Sequence, residues 1–343
     1  MCDRSYITAS PVPMKIVSTE TALARLLRPI RLQPRGVFER VLSLAYAPMR
    51  MRLSGISTDV SRNAVLLGQL LASDLGRRKI GCLTEAEFKV FSQFGEDGIL
   101  QYLIASASPL TRVFVEIGVD DYLEANTRFL LLANKWRGLV IEGNSKQVQR
   151  IRESDLRWRC DLMAVDAFVT SGNVNSLIED AGVEGDIGVL SIDIDGNDFW
   201  IWKALEVVRP TIVVCEFNRA FGPALAITVP YDPEFSPQAS HCLYYGASLR
   251  ALCMLAEQKG YAFVGCTSEG VNAFFVSKDR QNSLTCLQAA DGFAMITAAS
   301  RRAIDLRSHL SEIGHLPVFD VMSGAIKTLN QCADSVGHKS SPT

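Results

Sequence analysis

The chain has no C-x-x-C pair, and its nine cysteines are scattered and odd in number over 343 residues. That argues against a zinc ribbon or a disulfide framework and fits a reducing compartment. No apolar window reaches the roughly 18 to 20 residues needed to span a bilayer. The opening MCDRSYITAS lacks the long apolar run of a signal peptide. Net charge is only −2, so the chain as a whole is no nucleic-acid binder by charge. These absences predict a soluble cytoplasmic protein.

What is present is ample apolar content, 48%, enough for a sizeable core. Charge is divided unevenly. Residues 1–80 carry 13 Lys/Arg against 5 Asp/Glu, net +8, and the remainder carries 22 against 32, net −10. The expected domains are a basic helical extension over 1–80, an α/β domain over 81–280, and a helical segment with a polar tail over 281–343. Residues 15–52 alternate apolar residues with arginines, from Arg25 to Arg52, and are broken by Pro29, Pro34 and Pro48. Such a region packs as a helical cap, or lies on an anionic membrane surface as a peripheral contact. Asn63–Leu75 reads as a further helix.

The chain is organised around VFVEIGVDDYLEANT, Val113 to Thr127. An apolar run with β-branched residues reads as a buried parallel strand. It ends in Glu116 and Gly118 and leads into a helix. From there strands and helices alternate: strands over Val113–Gly118, Gly138–Glu142, Leu162–Val165, Ile187–Ile194 and Thr211–Phe217. The helices expected between them are Glu124–Lys135, Ser145–Glu153, Ser171–Ala181 and Asp198–Val207. A loop with Pro223, Pro230, Pro233 and Pro237 then precedes a helix over Ala247–Lys259. A hairpin, Tyr261–Cys266 and Val271–Val276, closes the pattern. This is a doubly wound, mostly parallel sheet with helices on both faces and one antiparallel strand. Beyond it, a helix is expected around Ala298–Leu310 and a disordered tail at HKSSPT.

Ligands of open parallel sheets sit beyond the carboxyl ends of the strands. Here each such end carries an acid: Glu116, Glu142, Asp166, then Asp193, Asp195 and Asp198 in SIDIDGND, and Glu216 before Asn218. An acid ending strand two suits a ribose diol, because a carboxylate accepts two hydrogen bonds. Asp193 and Asp195 are expected on one face of strand four, and Glu216 and Asn218 on one face of strand five. Together they could hold a divalent metal ion through oxygens or supply a general base. Asp195 could equally cap the next helix. Before the first strand, Gln93, Glu96 and Asp97 either reach a ligand or cap a helix that starts at Asp97. His241 is a candidate base near neutral pH, or a surface residue. Trp200 and Trp202 read as helix packing. No G-x-G-x-x-G follows strand one, which argues against a nicotinamide-dependent dehydrogenase.

The pieces FSQFGEDGIL, FVEIGVDDYLEANT, GLVIEGN, LSIDIDGNDFWIWKAL, VVCEFN and YAFVGCTSEGVNAFFV stand in this order over about Phe91–Val276. In them the chain resembles the FkbM-like group of the seven-stranded S-adenosylmethionine (SAM)-dependent methyltransferase superfamily. The resemblance implies the strand order 3-2-1-4-5-7-6 and SAM as cofactor. It implies that Gln93, Glu116, Gly118, Asp120, Glu142, Asp166 and Asp193 form the cofactor site. Glu116 and Gly118 would lie at the methionine part, Glu142 at the ribose, Asp166 at the adenine, and Asp193 near the transferred methyl group. The superfamily loop has the form E-x-G-x-G-x-G, whereas Asp120 and Tyr122 stand here in place of two glycines. The chain is similar in this loop to a bacterial subgroup often associated with surface-polysaccharide gene clusters. The implied reaction is O-methylation of a sugar, a polysaccharide precursor or a related metabolite. Asp193, Asp195, Glu216 and His241 are its candidate catalytic residues. A glycosyltransferase using Asp193-Ile-Asp195 as a D-x-D motif, and a non-catalytic binding module of the same fold, are the alternatives.

Overall fold

A computed structural model of the chain describes residues 59–235, 241–298, 300 and 306–337. The chain divides into two compact units, Met1–Ala64 and Val65–Thr343. In the first, residues 59–64 are helical. The basic 15–52 region, the tail HKSSPT and Pro237 lie outside the described residues.

The second unit opens on helix α1 (65–75) and helix α2 (Glu96–Ala107). Five parallel strands follow: β1 (Val113–Ile117), β2 (Arg137–Glu142), β3 (Leu162–Asp166), β4 (Gly185–Ile192) and β5 (Val208–Glu216). The helices between them are α3 (Arg128–Leu132), α4 (Ser145–Glu153), α5 (Leu156–Arg159), α6 (Val174–Asp180) and α7 (Asp198–Ala204). After the short strand β6 (Ile227–Thr228), helix α8 (Leu249–Lys259) leads to the hairpin β7 (Tyr261–Cys266) and β8 (Asn272–Ser277). Strand β8 enters beside β5 antiparallel, with Glu216 facing Asn272 in register.

The seven-stranded sheet runs β3-β2-β1-β4-β5-β8-β7. It departs from the expected order in one detail. The strand β6 intervenes in the chain and belongs elsewhere, so the terminal hairpin is β7–β8. Alternate residues of each strand feed two cores, as a period of two requires. Val115, Ile141, Leu190 and Val213 pack on one face with Phe199 and Trp202. Phe114, Val140, Val189 and Val214 pack on the other with Ile99, Leu100 and Leu103 of α2. Burial on both faces explains why these strands read as apolar runs.

The 281–343 segment is more than helical. Helices α9 (Ala289–Met295) and α10 (Leu306–Ile313) are followed by β9 (Pro317–Asp320), β10 (Ala325–Thr328) and α11 (Leu329–Gly337). The expected helix around Ala298–Leu310 is met by α10 at its C-terminal end. Strands β10, β9 and β6 form a second sheet, over a core of Phe221, Ile227, Val229, Tyr244, Ile313 and Val318. The proline-bearing stretch after β5 is therefore stapled by strand pairing, Ile227 to Asp320 and Thr228 to Phe319. Trp202 is buried against Tyr261 and Phe275, and Trp200 packs on Phe319, so both indoles serve packing as expected. Among the described residues no helix is long and apolar enough to cross a membrane.

Candidate functional site

The β1 end is built around Glu116. Its side chain is buried, accepting hydrogen bonds from the Asn126 N–H at 2.9 Å, the Thr127 N–H at 3.2 Å and the Thr127 hydroxyl. The Tyr122 hydroxyl shares a 3.0 Å bond with the same Thr127 oxygen. Burial pushes the Glu116 carboxyl up to about 7; the Thr127 and Asn126 bonds pull it down, and Asp193 pushes it further up. Glu116 thus ties the loop to the start of α3, and these bonds go to the chain itself. The helix that follows is shorter than expected, Arg128–Leu132, and in the loop before it Gly118, Asp120 and Tyr122 all adopt left-handed backbone, with φ of 81°, 50° and 60°.

Those three positions are where the E-x-G-x-G-x-G pattern places glycines. The turn survives with Asp and Tyr, at the modest cost L-residues carry there. Tyr122 is accommodated by sinking its ring into the core beside Phe114 and Leu130. Gly118 is different. A Cβ there would stand 1.8 Å from the Asp193 carbonyl oxygen, so only glycine allows the loop to lie against the end of β4.

Glu142, half-buried at the end of β2, accepts from the Val119 and Asp120 N–H groups at 3.1 and 2.9 Å. Its other oxygen accepts from the Asn144 N–H at 2.8 Å. It locks the β1 loop to the β2 end and retains acceptor capacity, since a carboxylate offers about four lone-pair sites. Asp120 accepts a bond from Gln147, and the exposed Asp166 accepts one from the Ser145 hydroxyl at 3.0 Å. Both bonds reach the first turn of α4, which Asn144 caps. Gln93 is half-buried in the segment before α2.

Strand β4 stops at Ile192, so Asp193 and Asp195 lie in the following loop and not on a strand face as expected. The loop's own turn, with Asp195 at φ 54°, and the end of β5 bring Asp193, Asp195 and Glu216 together. One carboxylate oxygen from each lies within 4.8 Å of the others. Glu216 is buried and the two aspartates are half-buried. The loop is held by Asp198, which is fully buried and accepts from the Ile194 N–H at 2.9 Å and the Gly196 N–H at 3.0 Å. Burial, with Asp193 close by, pushes its carboxyl up to about 7. The helix cap is Asn197, not Asp195.

Other expected members are occupied elsewhere. Asn218 accepts from the Ala220 N–H and donates to the Leu243 and Tyr245 carbonyls, and it does not belong to the acidic trio. His241 bonds Glu312 at 3.0 Å and accepts from the Leu243 N–H at 3.1 Å, contacts that point to α10. Asp97 is no helix start: α2 begins at Glu96, with Gly95 as its cap. One Asp97 oxygen gathers the Val90, Phe91 and Ser92 N–H groups and the Ser92 hydroxyl. Glu96 accepts from the Phe94 N–H and from Asn272. Both acids organise the chain ahead of α2.

Tyr245 is a buried phenol whose surroundings the sequence does not signal. Burial, and next the nearby Glu216, push its phenol well above the usual value, with Asp195 and Asp193 adding to the rise and Arg219 opposing it. A cavity of about 850 Å³ lies elsewhere, lined by Arg152, Trp158 and Met163 beside β3, and none of the strand-end acids lines it.

Asp193, Asp195 and Glu216 offer three carboxylates within reach of one atom. Their oxygens suit a hard divalent cation, and equally a base for a hydroxyl proton. The β1 loop, by contrast, fits a nucleoside ligand: a tight turn at a strand end with an acid on the next strand.

No protein-family model matches the chain, and no curated protein matches it. Among solved structures it is similar to an O-methyltransferase from Bacillus cereus in complex with S-adenosylhomocysteine (SAH). Identity there is 17%, over 63% of this chain and 89% of that one, with a TM-score of 0.36. It is also similar to the O-methyltransferase TomG from Streptomyces achromogenes in complex with SAM, at 14% identity over 58% and 91%, TM-score 0.34. A SAM-dependent methyltransferase from Clostridium acetobutylicum shows 8% identity over 51% and 87%, TM-score 0.32. The activities named belong to those proteins.

Proposed function

We propose that this chain is a SAM-dependent O-methyltransferase acting on a hydroxyl of a sugar, a polysaccharide precursor or a related metabolite. The observation that carries this reading is the contact between Gly118 and the Asp193 carbonyl. It sets a nucleoside-type loop directly against an acidic cluster, so a cofactor on the loop and an acceptor at the cluster would meet.

SAM, when bound, supplies an electrophilic methyl group; the chain supplies position and proton acceptance. Glu142 accepts from the ribose hydroxyls with the lone pairs left by its backbone bonds. With SAM bound, Asp166 would hold the adenine, and Gln93 and the 118–120 backbone would hold the methionine part. Asp193 orients the acceptor hydroxyl and takes its proton, with Asp195 and Glu216 holding the charge nearby or sharing a divalent cation. His241, tied to Glu312, is assigned no step.

Calorimetric titration with SAH tests the reading. Saturable binding that is lost in Glu142→Ala supports it, and no binding at millimolar ligand sinks it. The trio also favours a second reading, the D-x-D glycosyltransferase. Binding of a UDP-sugar only in the presence of Mn²⁺, with none of SAH, would select that one. A folded protein that answers neither ligand would be a binding module.

A further inference from the structure

We propose that helix α1 docks the protein on an anionic lipid surface. The inference stands apart from the methyl-transfer reading and rests on different residues. One face of α1 is fixed to the body. Gly68 lies so close to Phe129 and Val90 that an added Cβ would be 2.5 Å from the Phe129 ring and 2.7 Å from a Val90 methyl. Leu75 is buried on the same side. A glycine in mid-helix is costly, and this close approach accounts for it. The opposite face is then turned outward, and it carries leucines beside the exposed Asp74. Leu66, Leu67, Leu70 and Leu71 are 58, 61, 68 and 48% exposed, a stripe at i, i+1, i+4, i+5. Exposed leucines grouped in this way mark an interaction surface.

Charge selects that partner. Arg77, Arg78 and Lys79 are all exposed directly after the helix. The sequence from 1 to 80 carries net +8, while the remainder carries −10. A second copy meeting the stripe about a two-fold axis would bring these basic segments together. Anionic headgroups neutralise them while the acyl boundary accepts the leucines, the two attractions that interfacial elements combine.

The test is co-sedimentation of the full chain with vesicles of phosphatidylcholine alone or with about a third phosphatidylserine. Binding is expected only to the anionic vesicles, weakening as salt screens it. The double variant Leu67→Gln, Leu70→Gln should lose roughly tenfold or more in affinity. The triple variant Arg77→Glu, Arg78→Glu, Lys79→Glu should lose roughly a hundredfold. Both should keep the parent unfolding transition, because all five side chains are exposed. Absent binding, equal binding to neutral vesicles, or binding unchanged in the variants overturns the proposal. So does a dimer in light scattering that the leucine variant dissociates with no vesicle binding, which would make a second copy the occupant.

Discussion

The acids at the strand ends do two different kinds of work. At β1 and β2, Glu116 and Glu142 face outward-turned N–H groups of the main chain, and each gathers bonds that would otherwise be orphaned in a tight loop. At β4 and β5, Asp193, Asp195 and Glu216 converge on one another. The first arrangement lowers the free energy of the fold, since buried donors left unmatched are expensive. The second brings three carboxylates to one point. That convergence, beyond the carboxyl ends of two neighbouring strands, is what the proposed function builds on.

The comparison can be broken by mutation. Asp193→Ala is expected to cut turnover by roughly 10²- to 10⁴-fold while leaving stability equal or higher, because a like charge is removed from beside Glu116 and Asp198. Steady-state rates and urea unfolding on the same variant check both halves; full turnover would end the role of Asp193. Asp97→Ala is the opposite case. It orphans four donors, and a loss of about 3 to 5 kcal/mol in urea unfolding is expected.

The pH dependence sharpens the contrast. The Glu116 and Asp198 carboxyls are raised to about 7 in the folded chain from ordinary values of 4.5 and 3.8. The native state therefore holds protons that the unfolded state has released. Stability is fully present below the unfolded values and is lost as pH rises through about 7, by about 3 kcal/mol for Glu116 and about 4 kcal/mol for Asp198. Unfolding free energies measured from pH 4 to pH 8 should fall, and Glu116→Gln should flatten the slope. A stability that climbs over that range would show the carboxylates to be ionised in the native state.

Smaller effects are expected at the loop. Glu142→Ala should cost about 1 to 2 kcal/mol of stability, since two of its three donor residues, Asp120 and Asn144, are exposed, and should abolish SAH binding. Asp120→Gly should shift stability by no more than about 1 kcal/mol, relief of the left-handed backbone offsetting the lost Gln147 bond. Thermal melts with and without ligand measure both.

The sheet was largely legible because its strands are buried on both faces and separated by turn residues; Ser145–Glu153 and Tyr261–Cys266 stand where the pattern places them. The strand-end acids were legible as a row. Their division into fasteners and cluster was not, because it depends on loop dihedrals such as φ 54° at Asp195, which no periodicity encodes. Asp198 reads as an ordinary first-turn helix residue, and Tyr245 carries no mark in LYYG. The second sheet was missed because its strands are short, two residues at β6 and four at β9 and β10, too few for an alternation to show.

That second sheet bears on the order of events during synthesis. The stretch that carries Asn218 and Tyr245 is fastened by β6 to β9, by His241 to Glu312 and by the Tyr244 hydroxyl to the Pro317 carbonyl. The parallel strands β1 to β5 can collapse as they leave the ribosome, at about 5 to 20 residues per second. The stretch beside the acidic trio has to wait for Pro317–Asp320, which is made after every strand of the larger sheet. A nascent chain arrested before Pro317 would hold its sheet and have no finished site.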